Sequence, residues 1–436
     1  MLSPRTDQHD DPSGYEPRHS IRKYETLVPD NEDGDESTEH DAALKLLEEA
    51  LGDIPRAEDL HQPASKSRVD GPFHWIPRYN HTSWKEAQRM SMSMARTTKP
   101  PGASAAPPMS STPSAADGEP VLALRDSLLL SQRSSTIARQ MGMIERELMA
   151  GIDWSELSEP SWDQHTVRQE QWQLEYQDYV MFRIRQTMND EPSEGQKDAL
   201  RQTIHGRGIH MLIARFNRTC AWVASHIVRS NNIQERVAIV NKFIRIAWHC
   251  YRQGNMESLC QIMFGLQSPW IARLQQTWEQ VSLWELRAFE ALRRFTSPRE
   301  QFAFLRYSMR EAIETNIPSR RFSPLTTSSS PYVPFFGQFV SDLSAIDSLA
   351  SFVDASGMPN TMPLYDDQEL SLSWDALVNV YRLRIKSHIV REFITLQRCQ
   401  RQAPAPPMEL PILIEVLQLD TLSAMAIQST SLALEP

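Results

Sequence analysis

The pair in this chain best suited to covalent chemistry is His249–Cys250, where an imidazole could take a thiol proton and leave a nucleophilic thiolate. Both residues sit in a stretch where Val237, Val240, Ile244, Ala247 and Tyr251 step by three and four, so packing in a helix is their expected role. No nucleophile elbow surrounds any serine or cysteine. Twelve histidines are scattered without an H-x3-H or HExxH spacing, and Cys220, Cys250, Cys260 and Cys399 show no paired ligand spacing, so no metal is expected. No Walker or GxGxxG sequence occurs, and 15 glycines leave few places where backbone can close on a phosphate. No cofactor is expected either. Trp222, Trp248, Trp270, Trp278 and Trp284 could stack on bases, yet they recur on helical stripes in a chain of net charge −10, and core is their default. Nucleic acid is not an expected partner.

The elements that must position any site follow from composition and periodicity. With 40% apolar residues in 436, the chain can build one large core, with or without unstructured flanks. The N-terminus MLSPRTDQHDDPSGYEPR is polar and acidic, unlike a signal peptide, and no 18-residue apolar run occurs, so a soluble protein with reduced thiols and no transmembrane segment is expected.

Residues 1–120 hold 14 of the 29 prolines and only Trp75 and Trp84 of the 11 tryptophans, which reads as a disordered acidic, Pro-rich arm and linker. Its best helical candidate is Asp41–Leu51, with Leu44, Leu47 and Leu51 on one face, expected to be no more than a transient helix at that length. From Val121 long helical periods begin and no run alternates strictly, so residues 121–436 are expected to form one all-α domain. Leu129–Ile152 reads as its first helix, and 162–208 as a polar insertion with one helix near Glu170–Met188. Further stripes are Leu259, Ile262, Met263 and Leu266, then Ile271, Leu274, Trp278 and Val281. After Pro298 a helix is expected to about Ile313. In PYVPFFGQF, Pro331 and Pro334 fix the approach, Gly337 is expected to permit a tight bend, and a helix runs on towards Val353. A returning helix at about 373–400, with Val378, Tyr381, Ile385, Ile389 and Phe393 on one face, completes an αα-hairpin at about 338–400.

Several stretches then point to a family. FNRTCAWVASHIV (216–228) and ERVAIVNKFIRIAWHCYRQGNMESLCQIMFGLQSPWIARLQQTW (235–278) resemble the catalytic domain of Ras-type guanine-nucleotide exchange factors, the RasGEF domain. IARQMGMIERELMAGIDWSEL (137–157) is similar to its opening helix, REQFAFLR (299–306) to its central helix and PYVPFFGQFVSDL (331–343) to the segment leading into its helical hairpin. LVNVYRLRIKSHIVREFITLQ (377–397) is similar to the returning helix, and SLALEP (431–436) to the terminal segment.

The resemblance implies an all-helical bowl with a protruding hairpin. It also implies an exchange activity with no bond chemistry, in which the hairpin wedges open the switch region of a Ras-family small GTPase and GDP leaves. A degenerate domain that grips the GTPase as a scaffold is the alternative. A Ras-type GTPase, rather than Rap, is the expected partner, met in the cytoplasm at the inner face of the plasma membrane. By position, the hairpin face would comprise Asp347, Ser348, Ser344 and Ser341, with Asn255, Arg273, Arg306, Phe335, Phe336 and Lys386 contacting the GTPase. Phe216, Asn217, Trp278, Pro334, Gly337 and Asp342 would be structural. Glu257 stands where the family's N-x-N element has its second Asn, Gln301 replaces an Asn before the central aromatic, and Ser348 falls where a carboxylate is often found. The connector 354–371 is longer than the family's usual hairpin tip, and residues 1–120 do not read as the helical module with which many members brace the hairpin.

Overall fold

The computed structural model describes residues 34–53, 128–158, 169–188, 195, 207–298, 301–315, 332–358, 377–402 and 407–435. Most of the expected arm and linker at 1–120, the boundary near residue 120 and much of the connector 354–371 lie outside them.

The described residues are all-α, with sixteen helices and one two-residue strand pair. In chain order the helices are α1 (Gly34–Asp53), α2 (Leu128–Ser131), α3 (Ser134–Ala150), α4 (Trp154–Ser158), α5 (Gln169–Met188), α6 (Gly208–Arg229), α7 (Ile233–Arg252) and α8 (Met256–Leu266). There follow α9 (Pro269–Ala272), α10 (Gln275–Glu279), α11 (Leu283–Phe295), α12 (Ala303–Thr315) and α13 (Phe336–Asp347). Strands β1 (Phe352–Val353) and β2 (Leu377–Val378) precede α14 (Val380–Gln402), α15 (Leu410–Gln418) and α16 (Ala424–Leu434).

Helix α7 is the centre of the body. Val240, Phe243, Ile244, Ile246, Ala247, Trp248 and Cys250 are all fully buried, which a helix reaches only when neighbours cover several of its faces. Helices α3, α8 and α11 supply that cover, and α6 lies across α8 and α5. Asn232 caps α7 by accepting the Gln234 N–H at 2.9 Å, and Gly254, at φ 72°, turns the chain out of it through a conformation that favours glycine. The chain's last segment is tied in by Glu435, whose carboxylate accepts the Gln276 and Thr277 N–H groups at 3.1 and 3.2 Å.

Five expectations need correction. The N-terminal helix is longer than Asp41–Leu51 and is no transient one, for Leu44, Leu47 and Leu51 are buried against α11, Glu48 pairs with Arg287 at 2.8 Å and Glu39 with Arg252. Tertiary packing supplies what a short isolated helix lacks. The stretch 129–152 breaks at Gln132–Arg133 into α2 and α3, and 271–281 breaks at Arg273–Leu274 into α9 and α10. Helix α5, inside the expected insertion, belongs to the core: Trp172, Tyr176, Tyr179 and Val180 are buried against α6 and α15. Glu147 of α3 accepts from Tyr179 Oη and Arg183 Nε of this helix at 3.0 Å each. Finally α13 stops at Asp347 and α14 starts at Val380, with Phe352–Val353 and Leu377–Val378 paired as antiparallel strands between them.

Candidate functional site

The hairpin begins in the turn between α7 and α8. Val333 donates its N–H to the Gly254 carbonyl and accepts the Met256 N–H, both at 2.8 Å, so residues before α13 are stitched into the body as an extended segment. Asn255, in the same turn, caps α8 by accepting the Ser258 N–H at 3.1 Å. The Phe335 ring then drops among Phe302, Phe216 and Phe264, with centroids 5.3, 5.8 and 6.0 Å away, while Phe336 and Phe339 pack on Phe393 of α14.

Gly337 has a different role from the expected bend. It lies in the first turn of α13 without a positive φ, and a Cβ there would stand 2.3 Å from the Phe335 ring. Its bare Cα is the space that ring occupies. Gly337→Ala is therefore expected to lower stability by about 1–3 kcal/mol through forced repacking, read from the midpoint of denaturant unfolding.

Three polar clamps fix the two hairpin helices. Arg306 of α12 meets Asp342 of α13 in a two-pronged pair, 2.6 Å on each prong, and its Nε donates to the Gln301 carbonyl at 2.7 Å. Asp347, at the end of α13, accepts from Lys386 Nζ at 2.7 and 2.9 Å and from Arg382 Nη2 at 2.7 Å, binding α14 to α13. Lys386 also donates to the Ser158 carbonyl at 2.8 Å, tying α14 to α4. The third clamp is Glu257, buried on α8, whose Oε2 accepts the N–H of Phe336, the first residue of α13, at 2.7 Å. A carboxyl oxygen there meets the partial positive charge of the helix N-terminus.

Beyond the clamps the apolar surface is left open. Phe352, Leu377, Val378, Val380, Tyr381 and Leu383 are 39–65% exposed, whereas Ile389 and Phe393 further along α14 are buried. The stripe foreseen from Val378 to Phe393 is thus covered only in its second half, because α14 extends past the core at its N-terminal end. Clustered exposed apolar side chains mark a surface meant for a partner.

The expected site residues divide in the structure. Ser348 is exposed, its hydroxyl donating to the Ala345 carbonyl at 2.6 Å; Ser344 is half-buried, Ser341 is buried and Asp347 lies inside the clamp. Asn255, Phe335 and Phe336 are at most 2% exposed and, as placed, shape the site from beneath. Arg306 and Lys386 are taken by Asp342 and Asp347, and Arg273 donates to the Ser431 carbonyl at 2.7 Å. Phe216 and Pro334 are buried, Asn217 is partly buried on α6, and Trp278 donates its indole N–H to the Ile271 carbonyl at 3.0 Å. Cys250 is fully buried and burial pushes its thiol up, so the His249–Cys250 pair offers no thiolate.

Sequence reasoning missed a buried polar chain behind the hairpin. Arg215 donates through Nε to Glu145 at 2.6 Å and through Nη1 to Tyr176 Oη at 2.7 Å and the Val416 carbonyl at 2.8 Å. Gln261 Nε2 then donates to both Glu145 Oε1, at 3.1 Å, and Glu257 Oε1, at 3.4 Å. The available signal was a single charge inside an otherwise apolar stripe: Glu145 beside Met141, Ile144 and Leu148, and Arg215 beside Leu212 and Phe216.

The RasGEF domain matches residues 136–384, more than half of the chain. The chain belongs to the RasGEF domain family. Among curated proteins it is 26% identical over half of its length to guanine nucleotide exchange factor LTE1 of Kluyveromyces lactis, covering 13% of that protein. It is 36% identical over 22% of its length to Rap guanine nucleotide exchange factor 5 of Homo sapiens, covering 16% of it. It is also 27% identical over 51% of its length to Ras-specific guanine nucleotide-releasing factor 1 of Mus musculus, covering 15% of it. The chain therefore spans about a sixth or less of the length of these relatives.

Within this RasGEF domain, the departure at Gln301 has a backbone consequence. Gln301 adopts φ 57°, a left-handed conformation that Asn tolerates better than Gln because its short side chain can bond its own backbone. Gln301→Asn is expected to raise stability by about 0.5–1 kcal/mol, measured as a higher urea midpoint at unchanged slope.

Proposed function

We propose that this chain is a guanine-nucleotide exchange factor that promotes GDP release from a Ras-family small GTPase, with α13 and α14 as the wedge. The observation that supports this is the hairpin itself: a two-helix unit pinned at its root by Glu257–Phe336, along α13 by Arg306–Asp342 and towards its far end by Asp347–Lys386, and ending in exposed Val380, Tyr381 and Leu383. Clamps along its length and open apolar surface at the end are what an element needs to displace a loop of another protein. Such displacement makes and breaks no bond. A partner that binds the nucleotide-free form of a GTPase better than the GDP form shifts the balance towards release by that difference in affinity.

The exposed face offered to the switch region includes Ser348 and the half-buried Ser344 beside the apolar end. Asp347 acts from inside, holding the two helices together. Relatives named for Ras and for Rap both occur, and a Ras-type GTPase is the partner we favour. No helix among the described residues is long and apolar enough to cross a membrane, so a place at the inner face of the plasma membrane would come through the lipid-bearing GTPase. Release of a fluorescent GDP analogue from Ras and from Rap, in excess GTP and rising concentrations of the full chain, tests this reading. Concentration-dependent acceleration on either one is the expected result. Binding with unchanged release would replace it by a GTPase-binding scaffold.

A further inference from the structure

We infer that Glu257 is a positioning residue for the hairpin, one whose gain or loss of a proton sets how firmly the first turn of α13 is held. This rests on the exchange reading above and deepens it, since the hairpin is the element proposed to act.

The geometry is that of two carboxylates sharing one cation. Arg215, with its side chain fully buried, pairs directly with Glu145 at 2.6 Å, and its other bonds go to Tyr176 Oη and the Val416 carbonyl. Glu257 receives no direct cation. Its oxygens are met by the Phe336 N–H and by the Gln261 amide, which also bridges to Glu145. Glu145 Oε2 and Arg215 Nη2 are buried without a hydrogen-bond partner among the described residues, and neither bonds Glu257, whose carboxyl has only the Phe336 N–H and the Gln261 amide to meet it.

Burial and then the Glu145 charge push the Glu257 carboxyl up to about 8, against the opposing pull of the Phe336 N–H, Gln261 and Arg215. The groups that face it are Glu145 on α3, Arg215 and Cys220 on α6, Gln261 and Cys260 on α8, and the α13 N-terminus, with Tyr176 of α5 one step further off, bonded to Arg215. Burial raises the Cys220 and Cys260 thiols and the Tyr176 hydroxyl, which stay neutral through that range. The carboxyl is raised only while α13 covers it, so the covered state favours the neutral acid, whose oxygen accepts the Phe336 N–H. As pH rises towards this value, ionisation favours the state in which the first turn has lifted and water reaches the carboxylate, and the hold on α13 loosens.

Glu257→Gln in the full chain keeps the shape and one acceptor while fixing the group neutral. Two readouts are taken from pH 6.5 to 9.5, each as the ratio of wild type to variant at the same pH, which cancels the GTPase's own titration and the intrinsic rate of amide exchange. The first is the rate of GDP release, and the second is hydrogen-exchange protection of residues 336–339. Both ratios are expected to fall about tenfold between pH 6.5 and about 8 and to level off above it, because opening the turn releases a proton until the closed state is itself ionised. Ratios that stay constant in both readouts would overturn the inference and leave Glu257 a packed side chain. A falling protection ratio with no release from any GTPase would remove the exchange reading and keep Glu257 as the anchor of α13. A flat protection ratio with active release would do the reverse.

Discussion

Replacing Arg215 by methionine should lower the unfolding free energy by about 3–5 kcal/mol, the largest stability loss expected of any single change in this domain. The guanidinium is fully buried and joins α6 to α3 through Glu145, to α5 through Tyr176 and to α15 through the Val416 carbonyl. Methionine fills the volume but leaves Glu145 without its cation and Tyr176 without its donor. Glu145→Gln in the same chain should recover part of the loss, because it removes the stranded charge. Arg293→Met supplies the contrast: its pair with Glu290 is exposed on both sides, and the change should stay within about 0.5 kcal/mol. Equal losses for Arg215 and Arg293 in urea unfolding would show that the buried chain does not hold these helices together.

The double change Tyr381→Asp with Leu383→Asp should reduce the exchange rate by about 30-fold or more while leaving the unfolding midpoint nearly unchanged. Tyr381 and Leu383 are 64% and 51% exposed, so charges there cost the free chain little. At the centre of an interface such residues are commonly worth about 2 kcal/mol or more each, which is about 30-fold in affinity. Met425→Asp on α16, at 74% exposure, is the matching control outside the hairpin and should leave exchange as it is. If both surfaces tolerate aspartate equally, the hairpin end is not where the GTPase is engaged.

Much of the fold was legible because its helices announce themselves by period. Val237 to Tyr251 and Leu259 to Leu266 step as buried stripes and are buried. Breaks were harder: Gln132–Arg133 and Arg273–Leu274 contain neither glycine nor proline, so the pattern runs across them, and only the packing of α2, α9 and α10 shows the chain turning. Helix α1 was underrated because its three leucines acquire a partner only when α11 is in place. The hairpin was legible from PYVPFFG and the returning helix, but not where α14 leaves the core, since Val378 and Tyr381 have the same spacing as the buried Ile389 and Phe393.

At the candidate site, residue types pointed to the hairpin and misjudged what its polar groups do. Arg306, Asp342, Asp347 and Lys386 spend their charges on one another, a pairing between residues 36 and 39 positions apart that no local pattern discloses. Glu257 read as a departure from a motif. Its meaning rests on the Phe336 N–H, 79 positions away, and on a buried environment shared with Glu145 and Arg215.

The central claim is that the hairpin binds a GTPase better without nucleotide than with it, and the most direct measurement is the pair of dissociation constants of the full chain for nucleotide-free and GDP-bound Ras. The account predicts that the nucleotide-free form binds at least about 100-fold more tightly, a difference of about 2.7 kcal/mol that becomes available to expel GDP. Equal affinity for the two forms would contradict it, because a partner indifferent to the nucleotide cannot shift the equilibrium that releases it.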